Sequence, residues 1–240
     1  MHRQPLPPRQ PQPTAVAVLL SLTALLLALS PAIAGPRASS LMRESRTFLK
    51  VIRTAQAQVT VQQAAPDTMF AQGARPKDAL GSARPATLRI VRGKRLALTL
   101  PTPPNPREAA PLASDTLELG DLTTPHHSPE LRLLTLALVS PRFEHTVRKH
   151  LNIRFTMEVI TLDRIGGRMV WAVGDEQFAV WLDRETYQPV RIHVGQGVLD
   201  DASWVAEMRY DPESTSHGWF PASLRLKRAG ELKLVVDVQS

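Results

Sequence analysis

Between residues 157 and 238 apolar and polar residues alternate in short runs, each closed by a turn signal. That period of two is what a half-buried β-strand demands. Met157–Leu162 leads toward Gly166-Gly167, and Arg168–Val173 ends at Gly174-Asp175-Glu176. Phe178, Val180 and Leu182 alternate next, then Val190, Ile192 and Val194 beyond Gln188-Pro189. Trp204, Ala206, Met208 and Tyr210 follow, then Leu224 and Leu226, and finally Leu232, Leu234, Val236 and Val238. Seven strands with such short connections leave no room for crossover helices, so they pair as an antiparallel meander. The sheet they form is apolar on one face, and that face has to be covered.

The cover comes from the other half of the chain. Leu41, Phe48, Leu49 and Ile52 recur at helical spacing between Ser39 and Arg53. Ser128-Pro129-Glu130 places a capping serine before a proline at the first helical position and opens a leucine-rich helix to Val139. Its leucines surround much of the helix, so it should be largely covered. Phe143, Val147 and Leu151 mark a second, amphipathic helix after Pro141. Ala57, Val59 and Val61 read as a strand. Leu88 and Ile90 pair with Leu96, Leu98 and Leu100 as a hairpin turning at Gly93-Lys94. Residues 64–85 read as a long loop, and five prolines make 101–113 a Pro-rich loop. The expected class is α+β, mainly β: a curved antiparallel sheet with about three helices on one face.

The first residues carry an address. Arg3 and Arg9 precede the apolar run Ala15–Leu29, and Ala32-Ile33-Ala34 supplies a small-x-small cleavage pattern. Pro31 ends the run short of the ~20 apolar residues that a membrane span needs. Residues 1–34 are therefore expected to be a cleaved secretory signal, leaving 35–240 as a single exported domain. There are no cysteines, which excludes disulfides, thiolate metal sites, a cysteine nucleophile and a lipidated N-terminal cysteine. The net charge of +7 includes Arg3 and Arg9 of the leader, the other basic residues are dispersed along strands and turns, and aromatics make up only 5%. That dispersal suits a solvated basic surface with some attraction to a membrane surface, and not nucleic-acid binding.

Catalytic patterns are missing. There is no G-x-S-x-G elbow, and Gly166-Gly167 precedes a strand, which makes it a hairpin turn and not a phosphate cradle. His145 and His150 lie five apart, about 140° around a helix, so they do not share a face. His126-His127 sits in a loop without a carboxylate cluster beside it in sequence. No enzyme activity, metal or cofactor is expected. What the sequence offers instead is bulk on the alternating faces: Trp171, Phe178, Trp204, Met208, Tyr210 and Phe220. In an ordinary core each would contribute ~1.5–3 kcal/mol. Alternatively, part of this face lines a cavity for an apolar ligand, since three helices are a small cover for so wide a sheet.

The segment Gln177–Ile192 resembles the LolA-like superfamily of periplasmic lipoprotein carriers. Trp181-Leu182-Asp183 matches a hydrophobic-Trp-hydrophobic-Asp strand of that group, and Pro189-Val190-Arg191-Ile192 matches the strand that follows its turn. Gly218-Trp219-Phe220-Pro221, followed by a terminal hairpin, is also similar. The resemblance covers residues 156–238 and extends loosely over 35–155. It implies an unclosed half-barrel with helices over its concave face. It also implies a soluble, monomeric periplasmic carrier of lipoprotein acyl chains or another lipid, passing cargo between inner- and outer-membrane transfer proteins. The cavity lining would then be Trp171, Phe178, Val180, Leu182, Val190 and Ile192, with Trp204, Met208, Tyr210, Phe220, Leu224 and Leu226. Related folds also serve as sensors, so a partner-binding protein using the same sheet is the alternative.

Overall fold

In a computed structural model, residues 36–49, 53–64, 80–101, 114–157, 160–211 and 220–239 are described. The expected signal segment, residues 65–79 and 102–113 of the two long loops, and Gly218-Trp219 lie outside that set. Among the described residues there are three α-helices: α1 (Ala38–Leu49), α2 (Pro129–Val139) and α3 (Phe143–His150). Eleven strands form one sheet. The first four are β1 (Thr54–Gln63), β2 (Arg84–Val91), β3 (Arg95–Thr99) and β4 (Asp115–Glu118). The meander supplies β5 (Ile160–Ile165), β6 (Arg168–Gly174), β7 (Phe178–Asp183), β8 (Pro189–Val194), β9 (Trp204–Arg209), β10 (Ser223–Arg228) and β11 (Glu231–Val238).

The strand order is β4-β3-β2-β1-β11-β10-β9-β8-β7-β6-β5, antiparallel throughout. Strand β1 docks on β11, with Val59 opposite Val238 and Val61 opposite Val236, so the terminal hairpin joins the early strands to the meander. Strands β4 and β5 are the two free edges, which leaves the sheet unclosed. The expected class is therefore observed, as one sheet wider than the seven-strand meander. Two details differ from the sequence reading. Strand β5 begins at Ile160 and not at Met157, and β4 was not anticipated because Leu117 is its one buried apolar residue.

Helix α2 is the centre of the cover, and every residue from Leu131 to Val139 is buried. The serine cap expected from sequence is present: Leu131 N donates to Ser128 Oγ at 3.2 Å, and proline occupies the first turn. At the other end Gly93, with φ +72°, donates its N–H to Val139 O at 2.8 Å, so the β2–β3 turn docks on the helix C-terminus. The left-handed backbone there is open to glycine at little cost. Ser140 and Thr146 share a buried hydroxyl–hydroxyl bond of 2.6 Å that joins α2 to α3. An Arg46–Glu144 ion pair joins α1 to α3.

Candidate functional site

Residues directly opposite one another in an antiparallel pair share a face. Leu162 faces Trp171, and Trp171 faces Leu182. Ile160, Val173, Val180 and Ile192 make the neighbouring row, and Phe178 pairs with Val194. On β9 and β10 the same face carries Met208 opposite Leu224 and Ala206 opposite Leu226. It continues through Leu234 and Val236 to Val61, Val59, Leu88 and Leu98. This apolar face therefore runs without a break from β5 to β3.

Of the twelve side chains expected to line a cavity, Phe178, Val180, Leu182, Ile192, Trp204, Met208, Leu224 and Leu226 are buried on this face. Tyr210 and Phe220 are buried in the same cluster just beyond β9 and before β10. Trp171 is half-buried against it. Val190 stands apart. The β7–β8 register shifts between Trp181 and Leu182, pairing Trp181 with Arg191 and Leu182 with Pro189, so Val190 is the extra residue of a bulge. It lines an outward groove beside Arg191, Glu207 and Arg225.

Burial along the face is uneven. Helix α2 packs chiefly against β2, β3, β4 and β9, and the far strands are left to the segment after α3. There Phe155 meets Phe178 edge-on, with ring centroids 5.5 Å apart, and Thr156 Oγ1 donates to Asp175 Oδ2 at 2.6 Å. Beyond that point no described helix or segment packs on the face. In the row Leu182–Trp171–Leu162, exposure rises from zero at Leu182 to 47% at Leu162, and Met157 nearby in the chain is 40% exposed. Sequence reasoning placed Leu162 on a strand without marking it as a site residue. Its exposure depends on where the helices end, and no local pattern encodes that.

The polar groups near this face are structural. Trp204 is fully buried, with its Nε1 satisfied by Asp200 Oδ1 at 2.9 Å. Burial raises the pKa of Asp200, but bonds from Ala202 N, Trp204 and Arg228 together with the Arg228 charge outweigh it, for a net lowering. Arg132 is buried on α2 and donates to Leu122 O through Nε and to Leu199 O at 2.7 Å. Burial pushes the Tyr210 hydroxyl pKa up, opposed by the charge of Arg92. Burial also pulls the Arg92 guanidinium down to about 10, which leaves it protonated at neutral pH. His127 Nδ1 lies 2.8 Å from Asp115 Oδ2, a carboxylate partner twelve residues away that the loop sequence did not reveal. Among the described residues no group of three or more His, Cys, Asp or Glu side chains is arranged to hold a metal ion.

Together these features define an open antiparallel half-barrel whose helical cover leaves one margin of its apolar face exposed. No protein-family model matches the chain, and no curated protein matches it. Among solved structures it is similar to a LolA superfamily protein from Nitrosomonas europaea, at 12% identity over 86% of this chain and 93% of that one, with a TM-score of 0.49. It is also similar to a putative outer membrane lipoprotein-sorting protein domain from Vibrio parahaemolyticus (11% identity, 85% and 92% covered, TM-score 0.46). A DUF1329 family protein from Desulfovibrio piger is similar at 8% identity, with 86% and 92% covered and a TM-score of 0.45.

Proposed function

We propose that the chain is a non-enzymatic periplasmic carrier that shelters acyl chains, of lipoproteins or of another lipid, on the concave face of its half-barrel. The observation that carries this reading is the uncovered margin at Leu162 and Trp171, continuous with the buried rows behind it. An acyl chain laid along that margin would replace water over Leu162 and Trp171. It would extend inward wherever α2 and the 151–157 segment yield. Each buried methylene is worth ~0.8 kcal/mol, so a chain of ordinary length needs no covalent step to be held. An export leader at Met1–Ala34, as the sequence pattern suggests, would supply the export this role needs. Among the described residues no helix is long and apolar enough to cross a membrane.

The test is uptake of a fluorescent fatty acid, followed by energy transfer from tryptophan. Wild-type protein should bind it with saturation, and Leu162→Glu and Trp171→Glu should each weaken binding at least tenfold while the fold persists. Unchanged binding in both folded variants would remove the site. A second reading, a sensor that binds a protein partner through the same sheet, is favoured by β5. It is a free edge whose central residues are exposed on both faces, as strand addition requires. Partner capture that is lost on inserting proline at Thr161, with fatty-acid uptake absent, would favour it.

A further inference from the structure

The face of the sheet opposite the helices carries a second feature. Arg191, Glu207 and Arg225 stand directly opposite one another across β8, β9 and β10, so their side chains share the outward face. Arg209 is two residues beyond Glu207 on the same side of β9. These groups and Val190 line a groove of about 400 Å³, together with Met208, Ser223 and, from the β5–β6 turn, Ile165 and Gly166.

Its electrostatics are one-sided. Among the described residues Glu207 is the one carboxylate lining the groove, and both its oxygens are occupied. Arg191 binds one at 2.9 Å and Lys227 binds the other at 2.9 Å. Arg191 is further held over the Trp181 ring at 5.6 Å, and its Nε has no acceptor among the described residues. Arg209 and Arg225 are exposed and form no ion pair within the described residues. Of the acids around the groove, Asp211 follows Arg209 by two residues in the chain, Asp163 accepts from Trp181 Nε1 at 3.1 Å, and Asp237 stands opposite Ser223 on β11; among the described residues none of them forms an ion pair with Arg209 or Arg225. A bare surface of dispersed arginines would pair with neighbouring acids or lie separately. Here three arginines line one concavity, and the one acid among its described lining residues is already paired with two cations.

We propose that this groove binds a phosphate group, as a phosphate ester with its organic part against Val190 and Ile165. Guanidinium forks match the tetrahedral oxygens of phosphate, and several can engage one phosphate at once. Arg209 and Arg225 supply the free forks, and Arg191, pinned by Glu207 and Trp181, forms the preset floor. The groove lies on the opposite face from the apolar margin, so this proposal stands whether or not that margin carries acyl chains. The phosphate comes either from a soluble ester or from the headgroup of an anionic lipid at a membrane surface.

The experiment uses the full exported chain with four probes: inorganic phosphate, glycerol 3-phosphate, phosphatidylglycerol vesicles and phosphatidylcholine vesicles. Calorimetry and shifts of the arginine Nε resonances report the small ligands, and co-sedimentation reports the vesicles. The expected result is binding of a phosphate probe at least tenfold weaker in the Arg209→Gln, Arg225→Gln double variant. A control losing the same charge elsewhere on the surface, Arg89→Gln with Lys94→Gln, should bind as wild type does. Binding of glycerol 3-phosphate identifies a soluble ester as sufficient; binding confined to phosphatidylglycerol vesicles identifies the lipid headgroup. Arg209→Lys with Arg225→Lys, which keeps the charge and removes the fork, should bind weakly. Failure of every probe to bind, or equal loss in the Arg89/Lys94 control, overturns the proposal.

Discussion

Trp204 donates its indole N–H to Asp200 Oδ1 at 2.9 Å, and that carboxylate also accepts from Ala202 N at 2.9 Å and from Arg228 Nε at 2.9 Å. One residue earlier, Leu199 O accepts from Arg132 of α2 at 2.7 Å. The 195–203 connection thus ties the helical cover to β9 and β10. It also satisfies the polar end of the largest fully buried side chain of the core.

Asp200→Ala removes that acceptor and leaves the buried indole N–H unpaired. Losing an acceptor from a buried donor costs ~1–3 kcal/mol, and urea unfolding should show a loss of that order. The pH dependence has a definite sign. Because the folded pKa of Asp200 is net-lowered, its contribution is present above the unfolded carboxylate value, about 3.9, and is lost as pH falls through the folded value. The stability gap between wild type and Asp200→Asn should therefore be constant near neutrality and shrink below about pH 4.

Arg132→Met keeps the volume of the buried stem and deletes both bonds from α2 to carbonyl oxygens. Amide exchange in residues 131–139 should accelerate at least tenfold, more than in β7–β9, because local opening tracks the contacts that close it. Under the carrier reading the same variant takes up fatty acid faster.

Gly174 has φ +123°, and a Cβ placed there would lie 2.2 Å from Phe178 O and 2.8 Å from Ala179 Cα. Both contacts are with backbone, so no side-chain rotation relieves them. Gly174→Ala should destabilise by about 3 kcal/mol or more, combining a disfavoured dihedral with the clash. Thermal denaturation against wild type measures it. Gly166→Ala is the contrast: it shares the positive φ, but no atom lies within 4 Å of its Cβ position, so the loss there should be smaller.

The strands easiest to see in the sequence are those whose inner face is fully covered. Phe178, Val180 and Leu182 alternate because each alternate side chain is at zero exposure. On β5 that pressure is absent, since Thr161–Arg164 are exposed, and the apolar run Met157–Leu162 points to a start at Met157, where the described strand spans Ile160–Ile165. Strand β4 has one buried apolar side chain, too few to make a period. The Ser128 cap was visible because capping is local, whereas the Asp115–His127 and Arg132–Leu199 contacts are made only by tertiary folding. The bulge at Val190 has no signature in the residues around it: alternation alone puts Val190 with Ile192, and the register sets it apart. The outward arginine groove was hidden for the same reason: dispersed in sequence, its arginines line one concavity only across three strands.

The most direct test of the carrier reading is native mass spectrometry of the protein expressed with its own leader and recovered from a Gram-negative periplasm. The account predicts a mature chain beginning at Gly35 with bound lipid or acylated protein, the adduct being lost in Leu162→Glu and Trp171→Glu. A mature chain with no adduct, combined with no uptake of a fluorescent fatty acid by the folded protein, would contradict it.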